Sequence, residues 1–213
     1  MRFNSDCCLL YAVTDRSYLN GRTMKEAVEA ALRGGITMLQ LREKHLAEAE
    51  FEQEAREILT LCRSYGVPLI INDNVSLCAR IGADGVHVGQ NDMSAEEVRA
   101  ILGRDKIIGV TAKTPEQARA AESAGADYLG CGTCFPTSTK PEALPMTFDH
   151  FQKVCSSVSI PVVAIGGIGA RNITSFAGRG MQGFAISGGI FGVPDIEAET
   201  RKLKTLAEEL IHR

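Results

Sequence analysis

A short apolar run followed by an amphipathic stretch recurs roughly every 25 residues, and this repeat limits the possible folds more than any other feature. The runs lie at 9–13, 37–41, 68–71, 85–88, 106–110, 127–131, 161–165 and 183–186. Their near-continuous apolarity suits strands covered on both faces, as in a parallel sheet. Between them the pattern becomes helical: Phe51, Ala55, Ile58, Leu59 and Cys62 share one face of the stretch 48–63. Ser94 with Glu97 three residues on reads as a capping box, and Thr114-Pro115 as a cap followed by proline at the first helical position. A last helix is expected over 197–211. Small-residue turns at Gly34-Gly35, Gly82-Ala83 and Gly125-Ala126 close helices before the next strand. Such alternation permits an open doubly wound sheet or a closed barrel. Eight units with polar clusters after most strands favour an α/β chain folded as one (β/α)8 TIM barrel over residues 1–213.

Composition narrows the function. A length of 213 residues suffices for one well-buried domain and is short for two. The net charge of -3 argues against a nucleic-acid binder but leaves room for a local basic pocket. No apolar run is long enough to span a bilayer, and the first residues lack the apolar stretch of a secretory signal, so no membrane association and a cytoplasmic location are expected. The seven cysteines fall mostly in apolar segments, as reduced thiols do. Cys131 and Cys134 form a C-x-x-C, but no second ligand pair has zinc-like spacing, and strand-end packing is the preferred reading.

The polar clusters after the strands are where a barrel would hold its chemistry. After the second run, alternation puts Gln40, Arg42 and Lys44 on one side, an amide and two cations suited to an anion or to an ordinary solvated strand end. Asn72-Asp73 follows the third run and Gln90-Asn91-Asp92 the fourth. Asp73 and Asp92 could share Mg2+, although Asp92 could equally support the helix that Ser94 opens. His87 alternates with Val86 and Val88 and could point inward; a lone histidine there is more often structural than catalytic. Thr111 follows the fifth run, and the sixth leads into a loop with Thr137, Ser138, Thr139 and Lys140. Gly166-Gly167 and Ser187-Gly188 follow the seventh and eighth, where barrels of this kind often cradle a phosphate on backbone N–H groups. Two anion sites result: one cationic with a possible Mg2+, suited to a diphosphate, and one backbone-rich, suited to a monophosphate.

Taken in order, these stretches resemble thiamine-phosphate synthases: Gln40-Leu41-Arg42-Glu43-Lys44, Ile71-Asn72-Asp73, Asp84 to Asp92, Gly109-Val110-Thr111, the run 130–140, and Ala164 to Ile168. The resemblance covers residues 9 to 192 and implies condensation of a hydroxymethylpyrimidine diphosphate with a thiazole phosphate. It assigns Gln40, Leu41, Arg42, Glu43, Lys44, Asn72, Thr111 and Lys140 to the pyrimidine diphosphate, with Arg42, Lys44, Thr111 and Lys140 acting in catalysis. It assigns Thr137, Ser138, Thr139, Gly167, Ser187 and Gly188 to the thiazole phosphate, and Asp73 and Asp92 to Mg2+. The chain departs from the family pattern at Thr111, usually Ser; at Thr133, usually Pro; and at Ser187-Gly188, where Ser usually comes one position later. Two alternatives are a thiazole tautomerase-like paralogue, which could dispense with Asp73, Asp92 and Lys140, and a non-catalytic thiamine-precursor binding protein.

Overall fold

The structure is a computed structural model that describes residues 3–137 and 144–212. Among the described residues there are eight strands: β1 (Leu10–Val13), β2 (Met38–Leu41), β3 (Leu69–Asn72), β4 (Gly85–Val88), β5 (Ile107–Thr111), β6 (Tyr128–Cys131), β7 (Val162–Ile165) and β8 (Gly183–Ile186). Each pairs in parallel with the next, and β8 returns to β1, so the sheet closes into a barrel. Every strand is buried on both faces, which is why the sequence shows runs rather than alternation.

Alternation still sorts the side chains. Leu10, Ala12, Leu39, Leu41, Leu69, Ile71, Val86, Val88, Ile108, Val110, Leu129 and Phe184 face outward into the layer shared with the helices. Tyr11, Val13, Met38, Ile70, Ile107, Tyr128, Val163 and Ala185 fill the interior. Two inward positions carry glycine because neighbouring backbone comes too close for a side chain. A Cβ on Gly85 would sit 2.2 Å from the Ile107 carbonyl, and one on Gly183 would sit 1.7 Å from that of Cys8.

The helices are α1 (Met24–Gly34), α2 (Glu48–Ser64), α3 (Val75–Ile81), α4 (Ala95–Leu102), α5 (Pro115–Ser123), α6 (Phe148–Cys155), α7 (Gly188–Phe191) and α8 (Ile196–Ile211). The capping box at Ser94 and Glu97 forms, and a second one forms at Thr23 and Glu26. The repeat is broken once: β7 connects to β8 through only a 3-10 turn, Ile173–Phe176, with Phe176 packed edge-on against Phe151 and Phe184. None of the described helices is long and apolar enough to cross a membrane.

A four-fold pattern joins the strands at the N-terminal end of the barrel. The residue just before each even strand accepts a hydrogen bond from a backbone N–H at the start of the preceding odd strand. Thr37 receives Leu10 N–H at 2.9 Å, Asp84 receives Leu69 at 2.9 Å, Asp127 receives Ile108 at 2.7 Å, and Gln182 receives Val162 at 2.7 Å. These acceptors satisfy N–H groups at the strand edge that would otherwise be buried unpaired. Asp127 also binds Arg99 at 2.7 Å. Removing its carboxylate should therefore cost about 1–3 kcal/mol. Urea unfolding of Asp127→Ala should show that loss, and Asp127→Asn, which keeps an acceptor, should recover part of it. Equal stability of Asp127→Ala and the wild-type chain would contradict the role.

Candidate active site

The opposite, C-terminal end of the barrel opens into a cavity of about 1710 Å3. Strand alternation aims inward-facing Gln40, His87 and Thr111 at it, and the loops beyond add Arg42, Lys44, Asp73, Asp92, Thr137, Gly167, Ser187 and Gly188. Asn72, at the end of β3, also lines it. Most of the expected residues thus come together in one place. Two do not reach the cavity. Leu41 is fully buried in the layer between barrel and helices. The Glu43 carboxylate turns to Arg16 at 2.7 Å and to the N–H groups of Lys44 and His45 at 2.8 and 2.9 Å. Burial opposes ionisation of Glu43, but these donors outweigh it and hold the carboxyl below its usual range. Its position makes it a brace for the loop after β2. Ser138, Thr139 and Lys140 lie outside the described residues.

The β2–β4 side of the mouth is charged. Lys44 Nζ lies 2.6 Å from Asp73 Oδ2, which also accepts from Asn72 Nδ2 at 2.6 Å. Asp73 holds a left-handed backbone, φ 61°, at the turn between β3 and α3. Asp92 Oδ2 accepts the Gly89 N–H at 2.8 Å, folding the loop after β4 back on itself. In each carboxylate it is Oδ2 that takes these hydrogen bonds from described residues. Arg42 lies 3.6 Å from Asp15 and is held at its backbone N–H by Thr14 Oγ1 at 2.9 Å.

The β6–β8 side is built from backbone. Gly166 and Gly167 both adopt positive φ, 99° and 67°. A Cβ on Gly166 would meet Thr133 Oγ1 at 2.3 Å, and one on Gly167 would meet the Pro136 carbonyl at 2.4 Å. The loops after β6 and β7 therefore leave no room for a side chain at either position, which only glycine permits. Asn172 fixes the β7 loop by donating to Gly167 O and accepting from Gly169 N–H, each at 2.9 Å. Ser187 Oγ is shielded from solvent yet has no hydrogen-bond partner among the described residues. An anion oxygen in the cavity would satisfy it. In the C-x-x-C, burial pushes the Cys134 thiol up to about 11 and the Cys131 thiol higher, so both stay protonated. Cys131 packs on Met146 with the sulfurs 3.8 Å apart.

Beneath the mouth runs a set of buried hydrogen bonds that sequence reading did not find. Gln40 Nε2 donates to Tyr11 OH at 2.7 Å, and Tyr11 OH lies 2.8 Å from Tyr128 OH. Tyr128 OH lies 3.0 Å from His87 Nδ1, and His87 Nε2 lies 3.0 Å from Thr111 Oγ1. Inward alternation of His87 was the one available signal. The two tyrosines sit in ordinary apolar runs, and only closure of the barrel brings β1 and β6 face to face. Lys113, Asp195 and Lys202 also line the cavity, the last two from the distant α8 region.

Gly109 makes room for this set. A Cβ there would lie 2.3 Å from Tyr128 Oη and 2.5 Å from His87 Nδ1. Gly109→Ala should cost about 1–3 kcal/mol through overpacking, read as a lower urea midpoint. An unchanged midpoint would mean that the interior yields more than this geometry allows.

Known proteins bear out the resemblance. The family model described as thiamine monophosphate synthase matches residues 10–190. The thiamine-phosphate synthase of Ruminiclostridium cellulolyticum is 45% identical over 91% of this chain and 92% of its own length. A rice protein (Oryza sativa subsp. japonica) named "Probable thiamine biosynthetic bifunctional enzyme, chloroplastic" is 50% identical over 96% of this chain, which spans 38% of that longer protein. The solved thiamine phosphate pyrophosphorylase from Pyrococcus furiosus superposes with a TM-score of 0.89 at 34% identity, covering 97% of this chain and 98% of that one. The chain belongs to the thiamine monophosphate synthase family and is a transferase of thiamine biosynthesis.

Proposed function

We propose that the chain joins 4-amino-2-methyl-5-hydroxymethylpyrimidine diphosphate to 4-methyl-5-hydroxyethylthiazole phosphate, or its carboxylated form, giving thiamine phosphate and pyrophosphate. The observation that carries this reading is the division of one cavity into a charged side at β2–β4 and a backbone-and-hydroxyl side at β6–β8. The first suits a leaving diphosphate, the second a spectator monophosphate.

The bond between the pyrimidine methylene carbon and the diphosphate oxygen breaks, and its electron pair leaves with pyrophosphate. The thiazole nitrogen lone pair forms the new C–N bond. An electron-rich aminopyrimidine supports positive charge at that carbon, so the substitution is read as dissociative. Negative charge grows on the bridging oxygen, where Arg42 and Lys44 stabilise it without giving up a proton. Lys140 is assigned to the same diphosphate by resemblance. Gln40, Asn72 and Thr111 hold the pyrimidine substrate. Thr137, Gly167, Ser187 and Gly188 hold the thiazole phosphate, with Ser138 and Thr139 assigned there by resemblance. The protein's main contribution is to align two substrates and restrict water.

Mg2+ fits the donor set. The described residues contain no cluster of three or more His, Cys, Asp or Glu side chains, as a zinc-like cage would need. Mg2+ instead commonly takes one or two carboxylates and completes its shell with waters and substrate phosphates. Asp73 and Asp92 both line the cavity and suit that role. Bound there, the ion would neutralise charge on the diphosphate. The proposed substrates are phosphorylated small molecules, and a cytoplasmic setting is consistent with the bacterial relative.

Purified protein given both substrates and Mg2+ should release thiamine phosphate and pyrophosphate in equal amounts. Binding without turnover would favour a precursor-binding role, and isomerisation of the thiazole alone would favour tautomerase chemistry. A sharper test is Asp73→Asn. It should lower kcat at least about tenfold and move the Mg2+ activation curve to higher concentration, since each 1.4 kcal/mol of lost stabilisation is tenfold in rate. Unchanged Mg2+ dependence in both Asp73→Asn and Asp92→Asn would remove the metal assignment.

A further inference from the structure

The buried hydrogen bonds from Gln40 to Thr111 cross the barrel through five strands, and their protons can be counted. An amide nitrogen only donates, so Gln40 Nε2 fills an acceptor position on the Tyr11 oxygen at 2.7 Å. Tyr11 and Tyr128 are almost fully buried, and burial pushes both phenols far above their usual range, so each keeps its single proton. The Tyr11 proton then goes to Tyr128, 2.8 Å away, and the Tyr128 proton to His87 Nδ1 at 3.0 Å. In a neutral imidazole the His87 proton then sits on Nε2 and is donated to Thr111 Oγ1, 3.0 Å away. The chain has one direction. At one end it leaves the Gln40 carbonyl oxygen as the amide's acceptor at the cavity. At the other it leaves the Thr111 hydroxyl proton free to donate.

We propose that Tyr11, Tyr128 and His87 are positioning residues that polarise the mouth, fixing Gln40 as an acceptor and Thr111 as a donor, and so select a pyrimidine bearing an exocyclic amine over its oxo counterpart. The proposal rests on the assignment of Gln40 and Thr111 to the pyrimidine substrate. None of the three positioning residues needs to touch that substrate. An amine donates to the Gln40 oxygen, whereas an oxo group would face it oxygen to oxygen. Turning the amide over would require every proton in the chain to reverse with it, so the amide's orientation is coupled to the tautomer of His87. The packing supports a fixed arrangement. Gly109 and Gly130 admit the His87–Tyr128 pair, and a Cβ on Gly130 would already press to 3.2 Å of His87 Cε1. Phe3 stacks under Tyr128 with ring centroids 6.0 Å apart.

Two experiments test it. The first uses the wild-type chain with 15N-labelled histidine; comparison with His87→Gln assigns the His87 signal among the four histidines. The Nε2–H tautomer is expected, and the Nδ1–H tautomer would mean the opposite polarity and overturn the proposal. This measurement does not depend on any variant retaining activity. The second compares kcat/KM for the aminopyrimidine diphosphate and its 4-oxo analogue. Tyr11→Phe should reduce the amino-over-oxo preference about three- to tenfold, the scale of one hydrogen bond. Tyr128→Phe should raise the KM for pyrimidine diphosphate by a similar factor and leave that for thiazole phosphate within about twofold. A general structural defect would move both KM values together. If the tyrosine variants keep the wild-type preference and KM while Gln40→Ala and Thr111→Val raise the pyrimidine KM, the relay is wrong and the site assignment stands. If Gln40→Ala and Thr111→Val also leave that KM unchanged, the site assignment itself fails.

Discussion

Closure of the sheet is the constraint on which everything else depends. Eight short strands are too small to be stable separately, but in a ring each backbone edge is paired on both sides and no edge remains exposed. Closure also turns every second side chain into a confined interior, where volume must be shared. Tyr128 and His87 occupy that space because Gly109 and Gly130 carry no side chain there. The same confinement presses five polar groups from separate strands into hydrogen-bond distance. None of those contacts is local in sequence, and none would survive opening of the ring.

The two ends of the barrel then take different tasks. At the N-terminal end, Thr37, Asp84, Asp127 and Gln182 secure the start of each odd strand, and loops are short. At the C-terminal end, charge and backbone donors are collected around one cavity. In a chain of net charge -3 the cations Arg42 and Lys44 are concentrated at this mouth, where Asp15 and Asp73 balance them, and the proposed anionic substrates would meet them there. Such internal pairing lets the mouth carry cations without leaving them unneutralised when empty.

Much of this was legible in the sequence for a simple reason. Strands buried on both faces must be apolar throughout, so the eight runs match the observed strands to within one residue at each end. Alternation likewise grouped Gln40, Arg42 and Lys44 on one side, and all three line the cavity; the glycines at 35, 82 and 125 do adopt positive φ. Motif membership was less reliable than alternation: Leu41 and Glu43 belong to the same stretch as Arg42 and Lys44, yet alternation turns one into the core and an ion pair draws the other to Arg16. What was not legible depends on closure. Tyr11 and Tyr128 are separated by 117 positions, and nothing local says that their hydroxyls meet. The 3-10 turn between β7 and β8 also escaped notice, because a short apolar turn and a short helix have similar patterns.

The division of one cavity between two anions is the central claim, and a crystal structure with Mg2+, pyrophosphate and thiazole phosphate bound together addresses it directly. Pyrophosphate should lie against Arg42 and Lys44, Mg2+ should touch Asp73 and Asp92, and the thiazole phosphate should lie on Gly167, Ser187 and Gly188. Pyrophosphate seated in the loops after β7 and β8, or Mg2+ bound to neither carboxylate, would contradict it.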